Sequence, residues 1–273
     1  VQAFSRWSPP GGTLGRITRE AELRAKALLA NGAELDRAAR ATPAGPSLRS
    51  ALLGDSVGVI AEVKRRSPSK GDIAPGLDPV TQARAYASGG AAAVSILTEP
   101  EHFGGSAEDL ASVRSALPIP VLKKDFHVAP VQLVEARAIG ASAALLIVRA
   151  LSPRQLPEMM EWGRELGLEL LVEIRDGEEL VRALQAGATL IGVNNRNLET
   201  LEIDSTTCDR IIPLVPAGVV VVAESGVQSR ADVERYATLG ADAVLVGSVL
   251  SAAADASTAT RDLAGVSRRS RGD

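Results

Sequence analysis

Gly240-Ala241-Asp-Ala-Val-Leu-Val-Gly247 sets the frame for the whole chain. A glycine ends a helix, a small residue follows, and a short apolar run begins. Glycine suits the first position because it takes the left-handed conformation that closes a helix. The phrase recurs as Gly89-Gly90-Ala91 into AAVSIL, Gly167-Leu168 into ELLVE and Gly187-Ala188 into TLIGVN. Gly140-Ala141 leads past Ser142 into AALLIV in the same way. Each run is apolar on both parities, as a strand buried on both faces requires. Five such helix-to-strand junctions mean βα units and a parallel sheet.

Working outward gives eight strands, at about 57–64, 92–97, 119–124, 143–148, 168–173, 189–194, 218–224 and 242–247. Helix starts are marked by Ser106 before Asp109, Asp176 before Glu179, Ser229 before Asp232, and Ser152 with Pro153 at the first helical position. Eight right-handed βα units close most economically into an α/β (β/α)₈ TIM barrel, with an open doubly wound sheet as the alternative. The 273 residues fit one such barrel of ~250 residues plus an N-terminal extension. The chain therefore reads as a single domain, 1–273, with residues 1–50 as the extension. Residues 17–40 read as an extra amphipathic helix, with Leu23, Ala27, Leu28 and Leu35 on one side, able to cover one end of the barrel. Residues 41–54 read as a linker, and 265–273 as a disordered tail.

Composition excludes several classes. Thirty basic and 33 acidic residues give a net charge of −3, so there is no nucleic-acid face. No apolar stretch approaches the ~20 residues that span a bilayer, and residues 1–20 hold no secretory apolar run. The one cysteine, Cys208, cannot form an intramolecular disulfide, and no metal-ligand spacing exists. A cytoplasmic protein acting on a small molecule is expected, with no metal site and no nucleotide-cofactor fingerprint in the sequence, and as a monomer, with an oligomer left open.

Charge is costly on buried strands unless paired or used. Yet five strands end in polar or ionic groups: Glu62 and Lys64, then Lys123, Lys124 and Asp125, then Glu173, Asn194 and Glu224. These are C-terminal strand ends, where barrels of this kind build their sites. Buried Glu–Lys pairs also occur as plain structural contacts, but five strands converging on one rim point to chemistry. Ile60, Glu62 and Lys64 share one face by the period of two, so Glu62 and Lys64 point into the mouth together. Only one of Lys123 and Lys124 can do so. Ser225-Gly226 after the seventh strand and Gly247-Ser248 after the eighth form the usual place for a phosphate, where small residues let backbone N–H groups approach an anion.

Glu62-Val-Lys-Arg-Arg-Ser-Pro-Ser-Lys-Gly71 resembles the signature of the indole-3-glycerol phosphate synthase family. The resemblance continues through Leu97-Thr-Glu-Pro-Glu-His-Phe-Gly-Gly-Ser106, Pro120-Val-Leu-Lys-Lys-Asp-Phe126 and Leu171-Val-Glu173. It runs on through Ile191-Gly-Val-Asn-Asn-Arg-Asn-Leu-Glu-Thr-Leu201 and Ala223-Glu-Ser-Gly226, covering roughly residues 50–250. It implies a lyase of tryptophan biosynthesis. The substrate would be 1-(2-carboxyphenylamino)-1-deoxyribulose 5-phosphate, closed to indole-3-glycerol phosphate with loss of CO₂ and water. Lys124 is then the acid that protonates the ribulose carbonyl during closure. Lys64 and Glu62 or Glu173 supply the later acid and base, and Glu173 would also hold Lys124 charged. Asn194, Glu224 and Ser225, with Arg196, would bind hydroxyls or the carboxylate. The phosphate would sit on Ser225, Gly226, Gly247 and Ser248, helped by Lys64 and by Ser67 in a mobile first loop. Pro68, Phe103, Phe126, Leu145 and Leu198 match the family's wall for the aromatic ring. Two departures stand out: Ser248 where many members carry Glu, and His127 where an aliphatic residue is usual. His102 and His127 both read as ordinary loop residues.

Other readings stay open. A phosphoribosylanthranilate isomerase would share the phosphate cradle, but needs Cys and Asp where this chain has Glu62 and Asn194. A Schiff-base aldolase could use Lys124. A non-catalytic binding barrel would have little reason to keep buried ions.

Overall fold

In a computed structural model, residues 7–271 are described, so positions 1–6 of the expected extension and 272–273 of the expected tail lie outside the described residues. Eight parallel strands form a closed barrel. They are β1 (Gly58–Val63), β2 (Ala93–Leu97), β3 (Val121–Lys124), β4 (Ala143–Ile147), β5 (Glu169–Ile174), β6 (Leu190–Asn194), β7 (Val220–Glu224) and β8 (Ala243–Val246). Closure is made by β1, whose Ile60 pairs with Ala93 of β2 on one side and Leu245 of β8 on the other. The open-sheet alternative is thereby excluded. In the loop after β1, Arg66–Ser67 pairs antiparallel with Gly71–Asp72.

Two apolar layers follow from the period of two. Val59, Ala61 and Val63 face outward to the helices, within a large outer cluster. Ile60, Leu122, Leu145, Leu171, Leu190, Val222 and Leu245 fill the barrel interior. Helix starts obey the caps read from sequence. Ser106 Oγ accepts the Asp109 N–H and an Asp176 carboxylate oxygen accepts the Glu179 N–H, while Asp232 accepts the Ser229 N–H. At the start read at Ser152-Pro153, Ser152 Oγ accepts the Gln155 N–H as a cap, and the regular helix runs from Gln155.

The extension departs from expectation in three ways. The single helix expected over 17–40 is two: α1 (Gly12–Leu29) and α2 (Gly32–Ala41). The Asn31-Gly32 pair between them is a turn signal, and Asn31 O accepts the Glu34 and Leu35 N–H groups. The buried face is also different. Leu14, Ile17, Thr18, Ala21 and Ala25 pack down, while Leu23 is 65 % exposed. The stripe is built largely from small residues, which let α1 lie close on the barrel, and it starts earlier than the large leucines implied.

The segment read as a linker holds the third departure, a short helix α3 (Leu48–Ala51) capped by Ser47 Oγ, which accepts the Ser50 N–H. Leu48 and Leu52 are fully buried and join the interior layer beneath Ile60, Leu190 and Val220. Glu169, the first residue of β5, anchors this turn by accepting from Ser47 Oγ and the Arg49 N–H. Leu52 comes so close that a Cβ on Gly58 would stand 2.9 Å from its Cδ2. These leucines close the N-terminal end of the barrel.

The C-terminal tail is anchored as far as Arg271. Ser267 bridges to Ser56, and the Arg268 N–H donates to Asp55 O. Asp242, buried at the start of β8, pairs with both Arg268 and Arg271 at 2.8 and 2.9 Å. Two guanidinium groups on one buried carboxylate supply the partners its burial requires. No helix among the described residues is long and apolar enough to cross a membrane.

Deleting the plug tests its weight. Leu48→Ala leaves a cavity at the barrel floor and should cost about 3 kcal/mol, read as a lower urea midpoint at unchanged slope.

Candidate active site

The barrel geometry turns each inward C-terminal residue into a site residue. Glu62 lies on β1 with its side chain in the mouth, and Lys64 follows one residue beyond the strand. Their carboxylate and ammonium meet at 2.5 Å. On β3 the register decides between the lysines. Lys123 points outward and pairs with Glu135 on the helix Pro130–Ala138. Lys124 points inward, with its Nζ 3.3 Å from Glu224 Oε2 and 3.6 Å from Glu62 Oε2. Glu173 of β5 acts on Lys124 from farther away, so Glu224 and Glu62 are the closer carboxylates holding it.

Burial works against every one of these charges. It opposes ionisation of Glu62, but Lys64 and Lys124 more than compensate and hold that carboxyl below its usual range. Burial also opposes the charge of Lys124, yet Glu224, Glu62 and Glu173 together raise its pKa. Glu173 is pushed up by burial, against the pull of Lys124 and the Asn194 amide. Glu224 is pushed up to about 8, by burial first, with Lys124 opposing and Glu173 adding to the rise. Glu62 is thus the fixed anion, while burial favours the protonated form of Glu224 and raises the proton affinity of Glu173.

Two glycines make room for this cluster. A Cβ on Gly192 in β6 would stand 2.0 Å from Glu224 Oε1, and one on Gly247 would stand 2.5 Å from Glu62 Oε1 and 2.9 Å from Lys64 Nζ. A glycine inside a strand was the available signal for Gly192. Ser225 carries a left-handed backbone at φ 64°, followed by Gly226 at φ 93°. A non-glycine residue there is strained, and such strain gathers at functional turns. Asn195, fully buried, holds the turn by donating to Ser225 O and Tyr236 Oη, both at 2.9 Å. Sequence reading passed over Asn195, since an Asn beside a strand-end Asn looks like loop.

One pocket of about 770 Å³, counted to its open mouth, joins nearly all the expected site side chains. Glu62, Lys124, Glu173 and Asn194 form its floor. Phe103, Phe126, Leu145 and Leu198 form an apolar wall, with the two phenyl centroids 6.2 Å apart. Lys64, Ser67, Pro68, Arg196, Ser225 and Ser248 stand around the rim. Gly226, Gly247 and Glu224 do not line this pocket, although each is next in sequence to a residue that does. Ser248 opens a four-residue helical turn. The structure adds Leu97, Ile147, and Thr13, Leu14 and Ile17 from α1.

Helix α1 belongs to the site because the loop after β6 caps it. The Thr13 and Leu14 N–H groups donate to Glu199 O and Leu198 O, and the Gly11 N–H to Glu199 Oε1. Gly12, at φ 54°, would place a Cβ 2.2 Å from Glu199 O, so the capping loop demands glycine. Farther along, Arg24 pairs with Asp125 at 3.0 Å and Glu99 at 3.4 Å, fixing α1 to the loops after β2 and β3.

Both histidines differ from expectation. His127 is buried, and its Nδ1–H donates to Leu145 O at 2.7 Å. Burial and the nearby Lys123 push its pKa down to about 4, so it is a neutral pin on the apolar wall. The motif hid this, because the partner is a backbone carbonyl on another strand. His102 Nε2 meets Glu20 Oε2 at 2.6 Å, a tie between α1 and the loop after β2. Glu20, Glu99 and His102 could offer ligand atoms within 4.8 Å of one another. However, Glu99 already accepts three backbone N–H groups and faces Arg24, which disfavours a cation there. Cys208 is buried, with its thiol pushed up to about 12, and offers no nucleophile.

Fold and site together define a barrel enzyme with a buried cluster of carboxylates and lysines at the C-terminal ends of its strands. A model of the family described as indole-3-glycerol phosphate synthase matches residues 16–263. The chain belongs to that family. It is 53 % identical over 228 residues to indole-3-glycerol phosphate synthase 1 of Streptomyces coelicolor, covering 84 % of each chain. It is 50 % identical over 230 residues to the synthase of Mycolicibacterium smegmatis, covering 84 % of this chain and 85 % of the other. Among solved structures, 3-hexulose-6-phosphate synthase from Salmonella typhimurium superimposes with a TM-score of 0.58 at 16 % identity, over 76 % of this chain and 96 % of that one. That likeness shows the fold alone.

Two outcomes are expected. Gly192→Ala should displace the Glu224 carboxylate and lower turnover at least about tenfold, measured as kcat on the folded variant. Glu224→Gln should change how stability depends on pH. The folded state keeps the Glu224 proton to about pH 8, whereas the unfolded chain releases it near its ordinary value. Between about pH 5 and pH 8 the unfolded state therefore binds fewer protons, and rising pH erodes wild-type stability. Glutamine cannot ionise, so the melting temperature of Glu224→Gln relative to wild type should climb across that window. A difference independent of pH would refute the buried, protonated Glu224.

Proposed function

We propose that this chain is an indole-3-glycerol phosphate synthase, converting 1-(2-carboxyphenylamino)-1-deoxyribulose 5-phosphate to indole-3-glycerol phosphate, CO₂ and water. The observation that carries the reading is the Lys124 ammonium, held between Glu224 and Glu62 against an apolar wall. The reaction needs that juxtaposition. The aromatic carbon bearing the carboxylate attacks the ribulose carbonyl, and negative charge gathers on the carbonyl oxygen. A proton from Lys124 neutralises it and leaves a hydroxyl. CO₂ then departs from the ring carbon, and its bonding electrons restore the aromatic ring.

Dehydration follows. An acid protonates the hydroxyl as it leaves as water, and a base takes a proton from the adjacent carbon to complete the indole. Lys64, poised against Glu62, suits the acid, and Glu173, raised by burial, suits the base. Glu173 and Glu224 titrate as an interacting pair, so the proton belongs to both. Asn194, Arg196 and Ser225 orient hydroxyls and the carboxylate. Ser225, Gly226, Gly247 and Ser248 take the phosphate, with Lys64 and Ser67 alongside. Phe103, Phe126, Leu145, Leu198 and Pro68 hold the ring.

All these groups come from one chain, which favours a working monomer. With a lone buried cysteine, the chain fits a reducing cytoplasm. The isomerase reading lacks its acid–base pair, since Glu62 and Asn194 stand in those places.

Indole fluorescence tests the reading. Wild type should form product from the carboxyphenylamino substrate, and Lys124→Met should lose at least about 10²-fold in kcat. Turnover of phosphoribosylanthranilate, borohydride trapping on Lys124, or full activity in Lys124→Met would overturn it.

A further inference from the structure

The end of β1 has no strand partner on the β8 side. The ladder between them runs from Gly58↔Ala243 to Ala61↔Val246. There β8 ends, and the chain turns into the helical residues Ser248–Ser251. A parallel ladder continued to Val63 would need one more residue opposite it. That residue would give its N–H to Glu62 O and receive the Lys64 N–H on its carbonyl.

Ser251 Oγ stands in for it. The hydroxyl donates to Glu62 O at 3.0 Å and accepts the Lys64 N–H at 3.1 Å. A hydroxyl has one donor and two acceptor sites, so a single atom supplies both halves of the missing peptide contact. Tyr86 Oη lies 3.2 Å from both Ser251 Oγ and Glu62 O and completes the cluster. Ser251 and Tyr86 are buried, so water does not compete for these groups.

We infer that Ser251 is a positioning residue for the Glu62–Lys64 pair, acting through the β1 backbone and never touching substrate. The geometry is specific to the chemistry. Glu62 and Lys64 are the two residues whose main chain it grips, and they form the ion pair at the mouth. The same four-residue turn begins with Ser248, which lines the pocket. One rigid turn therefore sets both the rim proposed to meet the phosphate and the pitch of Lys64. The inference rests on the proposed synthase activity.

The test compares wild type with Ser251→Ala, Ser251→Thr and Tyr86→Phe. Indole fluorescence gives kcat and KM, and amide hydrogen exchange reports on the Lys64 N–H. In Ser251→Ala the Lys64 amide should lose protection. Its kcat should fall about tenfold while KM moves less than about twofold, well below the melting temperature. Ser251→Thr keeps the hydroxyl and should restore protection and rate together. Tyr86→Phe leaves both Ser251 bonds in place and should keep Lys64 protected. Ser251→Cys retains the shape with a weaker donor, and gives the same comparison should the alanine variant fail to fold. Wild-type kcat in Ser251→Ala, or a Lys64 amide as protected as in wild type, would overturn the inference. An inactive wild type would overturn the synthase reading instead, while amide exchange still decides whether the hydroxyl grips β1.

Discussion

Three carboxylates and two ammonium groups share the inside of one barrel mouth, and that imbalance governs the rest. Burial leaves the carboxylates little screening by water, so the set must approach neutrality largely by itself. Glu62 lies between Lys64 and Lys124 and stays ionised. The remaining excess falls on Glu173 and Glu224, whose affinities for a proton both rise. Proton affinity is thus raised at the place where the proposed chemistry needs acid–base groups. The two glycines at 192 and 247 follow from the same requirement, since larger residues would push the carboxylates apart.

Helix α1 and the loop after β6 depend on each other. The loop carries Arg196 and Leu198 into the pocket, and its Leu198 and Glu199 carbonyls accept N–H groups from the start of α1. In return α1 supplies Leu14 and Ile17 to the apolar wall. Arg24 and Glu20 carry the contact across to the loops after β2 and β3. The extension is therefore part of the site, with its buried stripe set by how closely it must lie.

Much of this was legible in the chain itself. The glycine-to-strand phrase located the barrel, and strand parity aimed Glu62 and Lys64 correctly. Phe103 and Phe126 were reached through the family resemblance. What escaped reading depended on contacts distant in sequence. The choice of Lys124 over Lys123 needed Glu135 on a helix to receive the other lysine. His127 needed a carbonyl on β4, and the tail needed Asp242 at the foot of β8. The stripe on α1 was misread because small residues score weakly as apolar, although close packing prefers them.

The leucine stopper under the barrel has a further meaning. Leu48 and Leu52 seal the foot of the barrel interior, so the route upward past the first loop is the natural one. In the proposed chemistry the bulky reactant, the departing gas and the released water would then all pass at the upper end, beside the same ionic cluster that handles the protons. Whatever crowds that end would slow entry and release together.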